Sequence, residues 1–379
     1  MEIKDLSNIG FGLYRGEISD KGNEKWIESL LFGIENGINT IDTAQKYRNG
    51  ESEKIVGLVL KQLLLANKIT REDLFISTKA GLLPNYIIES DDLQKIGVDE
   101  RYINYDQKFC MDPKYISWSV DRALERMDLN YVDGFLLHNP EIAMLFDDGE
   151  EKIFECLKVL EQKSIEGKIK YYGLATWNGL RREPLSKYHI NLSLIIKRLY
   201  ECFGEENHFK IIEAPLSIGM PAILSYRSSN QENMSLPDIL QDYNLIFFSS
   251  ASLYEGHINE LVELNKIFSY IYDFDSPNED QAAKVSFPVS ENSLKQLFEL
   301  LINLKNNDVK LLEMLKIMGS NKSNLFCAAL NIVRSTEFVN CALVGMENIK
   351  YTKDNIQILH GPKLDSSTVS DYWLKSWTN

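Results

Sequence analysis

The stretch "NTIDTAQKYRNGESEKIVG" (39–57) carries a carboxylate, Asp42, at the end of an apolar run and a phenol, Tyr47, shortly after it. Two more polar groups end similar runs: Lys79 after "LFIST" and His138 after "VDGFLL". A carboxylate, a phenol, an ammonium and an imidazole are side chains that move protons in catalysis. Each also has a plain structural reading. Asp42 could cap a helix or turn, Tyr47 could be a loop aromatic, Lys79 a solvated strand end and His138 a packed core histidine. What favours chemistry is that Asp42, Lys79 and His138 end successive strands, with Tyr47 on the loop after the first of them.

The elements that would position them alternate. Short, nearly continuous apolar runs at 8–13, 39–44, 74–79, 132–138, 170–175, 210–214, 245–250 and 339–345 read as parallel strands buried on both faces. Helical periodicity lies between them. "EKWIESLLFGIENG" puts Trp26, Ile27, Leu30, Leu31 and Ile34 on one face and stops at Gly37; "YISWSVDRALERMDL" does the same with Ile116, Val120, Leu124 and Met127. Asp112 and Pro113 read as the cap and first residue of that second helix. Eight strands, each followed by a helical segment, predict an α/β fold, a single (β/α)8 TIM barrel over residues 1–379. The C-terminal strand ends of such a barrel converge on one mouth, where Asp42, Tyr47, Lys79 and His138 would meet. Two long loops, 80–113 and 251–290, would leave from the same face. Tyr86, Tyr102, Tyr105 and Phe109 in the first either wall a substrate pocket or pack the loop onto the barrel.

Composition excludes several classes. A content of 44% hydrophobic and 25% charged residues is that of a soluble globular protein. Its apolar runs are too short to span a bilayer, and the first residues lack the pattern of a secretory signal. A net charge of −14 argues against nucleic-acid and anionic-membrane partners. Cys110, Cys156, Cys202, Cys327 and Cys341 are scattered, without the spacing of a zinc site, so reduced thiols in a cytoplasmic protein with no metal are expected. His189, His208 and His257 read as surface or packing residues.

With those residues in view, the chain resembles the aldo-keto reductase superfamily. The resemblance rests on "NIGFGLYRG", "IDTAQKYRNGESEKIVG", "ISTKAG", "VDGFLLHNPE", "GKIKYYGLATWN" and "FVNCALVGMENIKYTKDNI", which keep the family's order along the chain. It implies a catalytic tetrad of Asp42, Tyr47, Lys79 and His138 acting on a small-molecule substrate with NADP(H). Tyr47 would give or take the proton at a carbonyl oxygen, although a phenol with a reference pKa of about 10 is a weak acid near neutrality. Lys79 would lower that pKa; a unit charge about 4 Å away is worth roughly 4 kcal/mol at an effective dielectric of about 20. Asp42 would hold Lys79, and His138 would orient the carbonyl. The cofactor would supply the hydride.

The cofactor side departs from the family. Where members usually read Gly-x-Ser-Asn after the fifth strand, this chain has Gly173-Leu174-Ala175-Thr176. Glu213 stands where a glutamine usually completes the grip on the nicotinamide amide, and a carboxylate cannot donate as an amide does unless it is protonated. The loop containing Ser250 and Leu253 resembles the segment that folds over the pyrophosphate, without its usual proline. After the last strand Gly345-Met346-Glu347-Asn348 puts an acid where a Ser, Lys or Arg commonly meets the 2′-phosphate, while Asp354 and Asn355 resemble the pair that holds the adenine. Lys350 and Lys353 either meet a phosphate or form a solvated helix face. The expectation is a cytoplasmic NADP(H)-dependent oxidoreductase interconverting a carbonyl and an alcohol. Its rivals are a redox-neutral lyase or hydrolase that uses the same tetrad, favoured by Glu213, and a regulatory subunit of the kind that the same barrel forms with potassium channels.

Overall fold

β-Branched and aromatic residues fit a pleated surface covered on both faces, and the expected apolar runs form strands accordingly. The computed structural model describes residues 5–228, 233–253 and 322–377. Its barrel strands are β1 (Ile9–Gly12), β2 (Thr40–Asp42), β3 (Phe75–Ala80), β4 (Val132–His138), β5 (Ile169–Ala175), β6 (Phe209–Pro215), β7 (Ile246–Ser250) and β8 (Cys341–Val344). Each pairs in parallel with its sequence neighbours, and β8 pairs with β1 to close the ring. The helices that cover it are α1 (Asp20–Glu35), α2 (Glu51–Leu65), α3 (Pro113–Met127), α4 (Gly149–Ile165), α5 (Leu192–Phe203), α6 (Leu236–Asp242), α7 (Lys322–Ser335) and α8 (Ile349–His360), with α9 (Ser366–Trp377) after them. This is the (β/α)8 barrel that the alternation predicts. Among the described residues no helix is long and apolar enough to cross a membrane.

The helix ends follow the sequence signals. Ser19 caps α1 by accepting from the Gly22 amide at 3.1 Å, and Gly37 closes it with φ +99°. Asp112 caps α3 through the Lys114 amide at 2.7 Å, ahead of Pro113. Trp26 and Leu30 of α1, and Ile116, Val120 and Met127 of α3, are fully buried against the barrel. Each such large apolar side chain contributes roughly 1.5–3 kcal/mol by leaving water.

Inside the ring, alternation stacks two layers. Phe75, Leu136, Ile211, Ile246, Phe248, Cys341 and Leu343 form one buried cluster. Two residues on along each strand, toward its C-terminal end, Phe75 leads to Ser77 and Lys79, Leu136 to His138 and Ile211 to Glu213. Register aligns that upper layer: Asp42 faces Ser77, His138 faces Ala175, and Ala175 faces Glu213. An apolar floor therefore lies beneath a polar mouth.

The 80–113 connection is folded rather than an open loop. It holds short helices at Asn85–Ile88 and Asp92–Lys95 and an antiparallel hairpin pairing Ile103–Asn104 with Phe109–Cys110. Of its aromatics, Phe109 is fully buried, and Tyr102 donates to Asp148 Oδ2 at 2.8 Å and packs on Phe146. Tyr86 lies against the Arg126 guanidinium, and only Tyr105 stands well exposed. Packing of the loop onto the barrel is the main use of these rings. His189 stacks on Tyr226 with centroids 5.4 Å apart, and His208 pairs with Glu161 at 2.8 Å, as packing residues do. His257 and residues 254–290 of the second long loop lie outside the described residues.

The loop leaves β3 through Gly81, at φ +138°, where an added Cβ would sit 2.6 Å from the His138 carbonyl oxygen. Gly81→Ala is expected to destabilise the fold by about 1–3 kcal/mol through strain and collision. Urea denaturation of the variant beside the unsubstituted chain measures it; equal midpoints would refute this account of the turn.

Candidate functional site

Asp42, Lys79, His138 and Glu213 stand near the C-terminal ends of β2, β3, β4 and β6, and the turn after β2 brings Tyr47 to Lys79. That 3₁₀ turn, Tyr47–Gly50, holds Arg48 and Asn49 at positive φ and feeds directly into α2. Lys79 Nζ is the hub. It donates to Asp42 Oδ2 in a short contact, to the Thr43 carbonyl at 3.1 Å and to Tyr47 Oη at 3.2 Å. It also lies 3.3 Å from Glu213 Oε2. Lys79 and Asp42 are each 1% exposed, so their charges answer to one another rather than to water.

Electrostatics follow from that burial. Desolvation works against the Lys79 charge, but Asp42, Glu213 and Tyr47 outweigh it and raise its pKa above the ordinary value. Desolvation lifts Asp42, with Lys79 and Ser77 opposing. Glu213 is pushed up to about 8, first by burial and then by the Asp42 charge, against the pull of Lys79. Ser77 Oγ donates to Asp42 Oδ1 at 2.8 Å. Asp42, closest to the Lys79 ammonium and held by Ser77, is the carboxyl whose charge the site supports better, and Glu213 is the one that burial and the Asp42 charge push toward its protonated form. Burial and the Lys79 charge drive His138 well below its usual pKa, leaving a neutral imidazole.

Tyr47 corrects one expectation. Lys79 does pull the phenol down, as the sequence argument holds, but the net shift is upward. Burial is the larger cause, and the Asp42 and Glu213 charges add to it. Its ring meets His138 edge-on at 5.6 Å and Tyr14 at 5.3 Å. Tyr14 and Ser77 were missed in the sequence. Ser77 carries a signal in hindsight, because it lies two residues before Lys79 and so shares its face of β3.

The other sequence-derived positions divide. Ala175 lies at the mouth, buried between His138 and Glu213 in register. Thr176 does not offer its hydroxyl there. Its Oγ1 donates to Glu141 Oε2 at 2.8 Å and accepts from the Gly179 amide at 2.8 Å. Glu141 also accepts from the Trp177 and Asn178 amides at 2.9 and 2.6 Å, which fixes the turn after β5. Glu141 stands in "VDGFLLHNPE", yet its partners are distant in sequence and only the fold brings them together. Ser250 ends β7, its carbonyl accepting from the Leu216 amide at 3.2 Å, and Leu253 packs against the core.

A second group surrounds the start of α8. Gly345 is exposed, Glu347 half-buried, and Asn348 caps the helix by accepting from the Lys350 amide at 2.9 Å. Lys350 and Asp354 are exposed, and Asn355 is buried. Lys353 rests over the Phe32 ring at 5.4 Å. Among the described residues no cluster of His, Cys, Asp and Glu is placed to hold a metal ion.

Known proteins are similar to this chain. Residues 8–189 match the aldo/keto reductase family. The NADH-specific methylglyoxal reductase of Escherichia coli (strain K12) is 32% identical over 175 residues, 45% of this chain and 48% of that protein. The chain thus spans about half the length of the curated relatives it matches. Among solved structures, a glycerol dehydrogenase from Gluconobacter oxydans superposes with TM-score 0.61 at 17% identity, covering 99% of this chain and 93% of that one. An aldo/keto reductase from Klebsiella pneumoniae, solved with NADP and acetate, does so with TM-score 0.54 at 15% identity, covering 97% and 90%. With that family match in its first half and a closed eight-stranded barrel as its fold, the chain is similar to the aldo-keto reductase superfamily.

Proposed function

We propose that this chain is an NADP(H)-dependent oxidoreductase, one barrel domain working in the cytoplasm, that interconverts a carbonyl and an alcohol on a small-molecule substrate. The observation that carries the reading is Lys79 Nζ at 3.2 Å from Tyr47 Oη with Asp42 bound behind it. The names of its relatives support the reaction class: a methylglyoxal reductase among the sequences, and a barrel solved with NADP among the structures.

The residues present fit a nicotinamide cofactor. Glu213 brings a buried carboxyl to the mouth beside Lys79, and a neutral carboxyl offers one donor and one acceptor to a carboxamide. Ala175, beside it in register, presents only a methyl group. Ser250 and Leu253 would flank the pyrophosphate. Gly345, Glu347 and Lys350 would lie near the adenosine phosphate, with Asp354 and Asn355 at the adenine; Thr176, held by Glu141, would shape the turn rather than grip the amide. The bound cofactor supplies the hydride.

The chain's own groups manage the proton. His138, neutral, hydrogen-bonds the carbonyl oxygen from a ring nitrogen and aims it at Tyr47. Tyr47 holds its proton in the resting site, because burial disfavours the phenolate, and releases it only as the substrate oxygen turns basic. The Lys79 ammonium stabilises the phenolate left behind, and Asp42 keeps that ammonium in place. Glu213 also favours a second reading, redox-neutral acid–base chemistry by a lyase or hydrolase on the same residues.

Cofactor titration separates the two. NADPH and NADH are added separately to the purified chain, with binding followed by tryptophan fluorescence or calorimetry. Micromolar binding of at least one is expected, and their ratio reports how far Glu347 weakens a 2′-phosphate. If neither binds at millimolar concentration, the oxidoreductase reading fails and the redox-neutral one gains. Tyr47→Phe is expected to lower kcat for carbonyl reduction about 10²–10⁴-fold with cofactor affinity unchanged; a loss under tenfold would remove Tyr47 from the proton transfer.

Lys79→Met tests the charge pair itself. Removing one partner of a buried pair costs about 3–5 kcal/mol. In the variant, Asp42 and Glu213 lose the cation they share and bind protons more tightly folded than unfolded, so its stability should rise as pH falls toward the carboxylate range. Urea melts at several pH values measure this; a pH-independent deficit would contradict it.

A further inference from the structure

Lys79 faces two carboxyls, and only one is needed to balance it. Glu213 reaches it from β6, opposite Asp42 on β2, at 3.3 Å and 4% exposure. We propose that Glu213 is a positioning residue of this site, sharing the Lys79 ammonium with Asp42, so that its ionisation sets the charge that Lys79 presents to Tyr47. The proposal deepens the oxidoreductase reading by assigning the one buried carboxyl of the mouth that the proton transfer above leaves without a part.

The groups facing Glu213 can be named for each neighbouring element. Asp42 comes from β2, Tyr47 from the turn after it, Lys79 from β3 and His138 from β4. Cys341 comes from β8, its thiol raised by burial with the Asp42 and Glu213 charges adding. Ala175 of β5 and Phe248 of β7 flank Glu213 in register and carry no charge. While Glu213 holds its proton, the mouth contains one anion and one cation, and Lys79 acts on the phenol against Asp42 alone. Once Glu213 ionises, a second anion divides the ammonium, and the phenol holds its proton more tightly. A protonated Glu213 thus makes Tyr47 the better acid, and its loss of a proton makes Tyr47 a worse one.

The experiment follows both groups directly by ¹³C NMR of the full chain. Glutamate is labelled at the side-chain carboxyl and tyrosine at the ring carbon bearing oxygen, with Glu213→Gln and Tyr47→Phe for assignment. The Glu213 carbon should titrate near pH 8, and the Tyr47 carbon should show an inflection at the same pH that vanishes in Glu213→Gln. Asp42→Asn supplies a second variant: with the Asp42 charge gone and the Lys79 ammonium still beside it, Glu213 should titrate about one pH unit or more lower. Titration of Glu213 in the ordinary range below about 5 in the unsubstituted chain overturns the proposal. So does a Tyr47 inflection that survives in Glu213→Gln, or a Glu213 midpoint unmoved by Asp42→Asn. In turnover, carbonyl reduction should decline above pH 8 in the unsubstituted chain and at higher pH in Glu213→Gln. A chain that reduces no carbonyl would defeat the oxidoreductase reading, while the two resonances still decide the part played by Glu213.

Discussion

An ammonium buried between two carboxyls is the constraint around which the mouth of this barrel is arranged. Taking a charge out of water costs several kcal/mol per ion, and that cost is offset only where geometry supplies close partners. Lys79 has them because β2 and β3 pair with Asp42 opposite Ser77, two residues before Lys79 on the same face. Slipping β3 by one residue would turn Lys79 into the helix layer and Thr78 into the barrel. The floor of Phe75, Leu136, Ile211 and Phe248 lies buried within the barrel, and Lys79 is itself 1% exposed.

That constraint reaches Tyr47 in two opposing ways. Proximity to Lys79 favours phenolate, whereas the dry surroundings that make the Lys79–Asp42 pair strong favour the neutral phenol. Here the second effect wins, aided by the carboxylates that anchor the lysine. A site of this kind does not rest with an ionised tyrosine. It keeps the proton in place and lowers the cost of losing it, which suits proton donation to an oxygen that becomes basic during reaction. A neutral His138 matches this, because a charged imidazole beside the ammonium would be repelled by it.

The barrel was largely legible in the sequence, since eight buried parallel strands write themselves as apolar runs with polar residues at one end. β4 falls at 132–138 as read, and the other strands agree to within two residues at either end. The convergence of Asp42, Tyr47, Lys79 and His138 follows from topology once the strands are known. Three things were not legible, each for its own reason. The hairpin and short helices within 81–112 have two or four residues per element, too few to show a period. The engagement of Thr176 by Glu141 depends on where the turn after β5 lands. The direction of the Tyr47 shift depends on burial, which spacing cannot measure and which outweighs the neighbouring charge that spacing does reveal.

Glu213 shows how one proton can meet two demands. A glutamine side chain offers two N–H donors and one acceptor; a neutral carboxyl offers one O–H donor and a carbonyl acceptor, and an ionised one offers acceptors only. A ligand carboxamide facing this position would find both a donor and an acceptor only while Glu213 is protonated. The same proton leaves Lys79 balanced by Asp42 alone. Ionising Glu213 would remove the donor from the ligand's side and add an anion on the lysine's side at once. An amide would satisfy the ligand at every pH but could not link the two. On the proposal above, the carboxyl would tie what the mouth can hold to what Tyr47 can do.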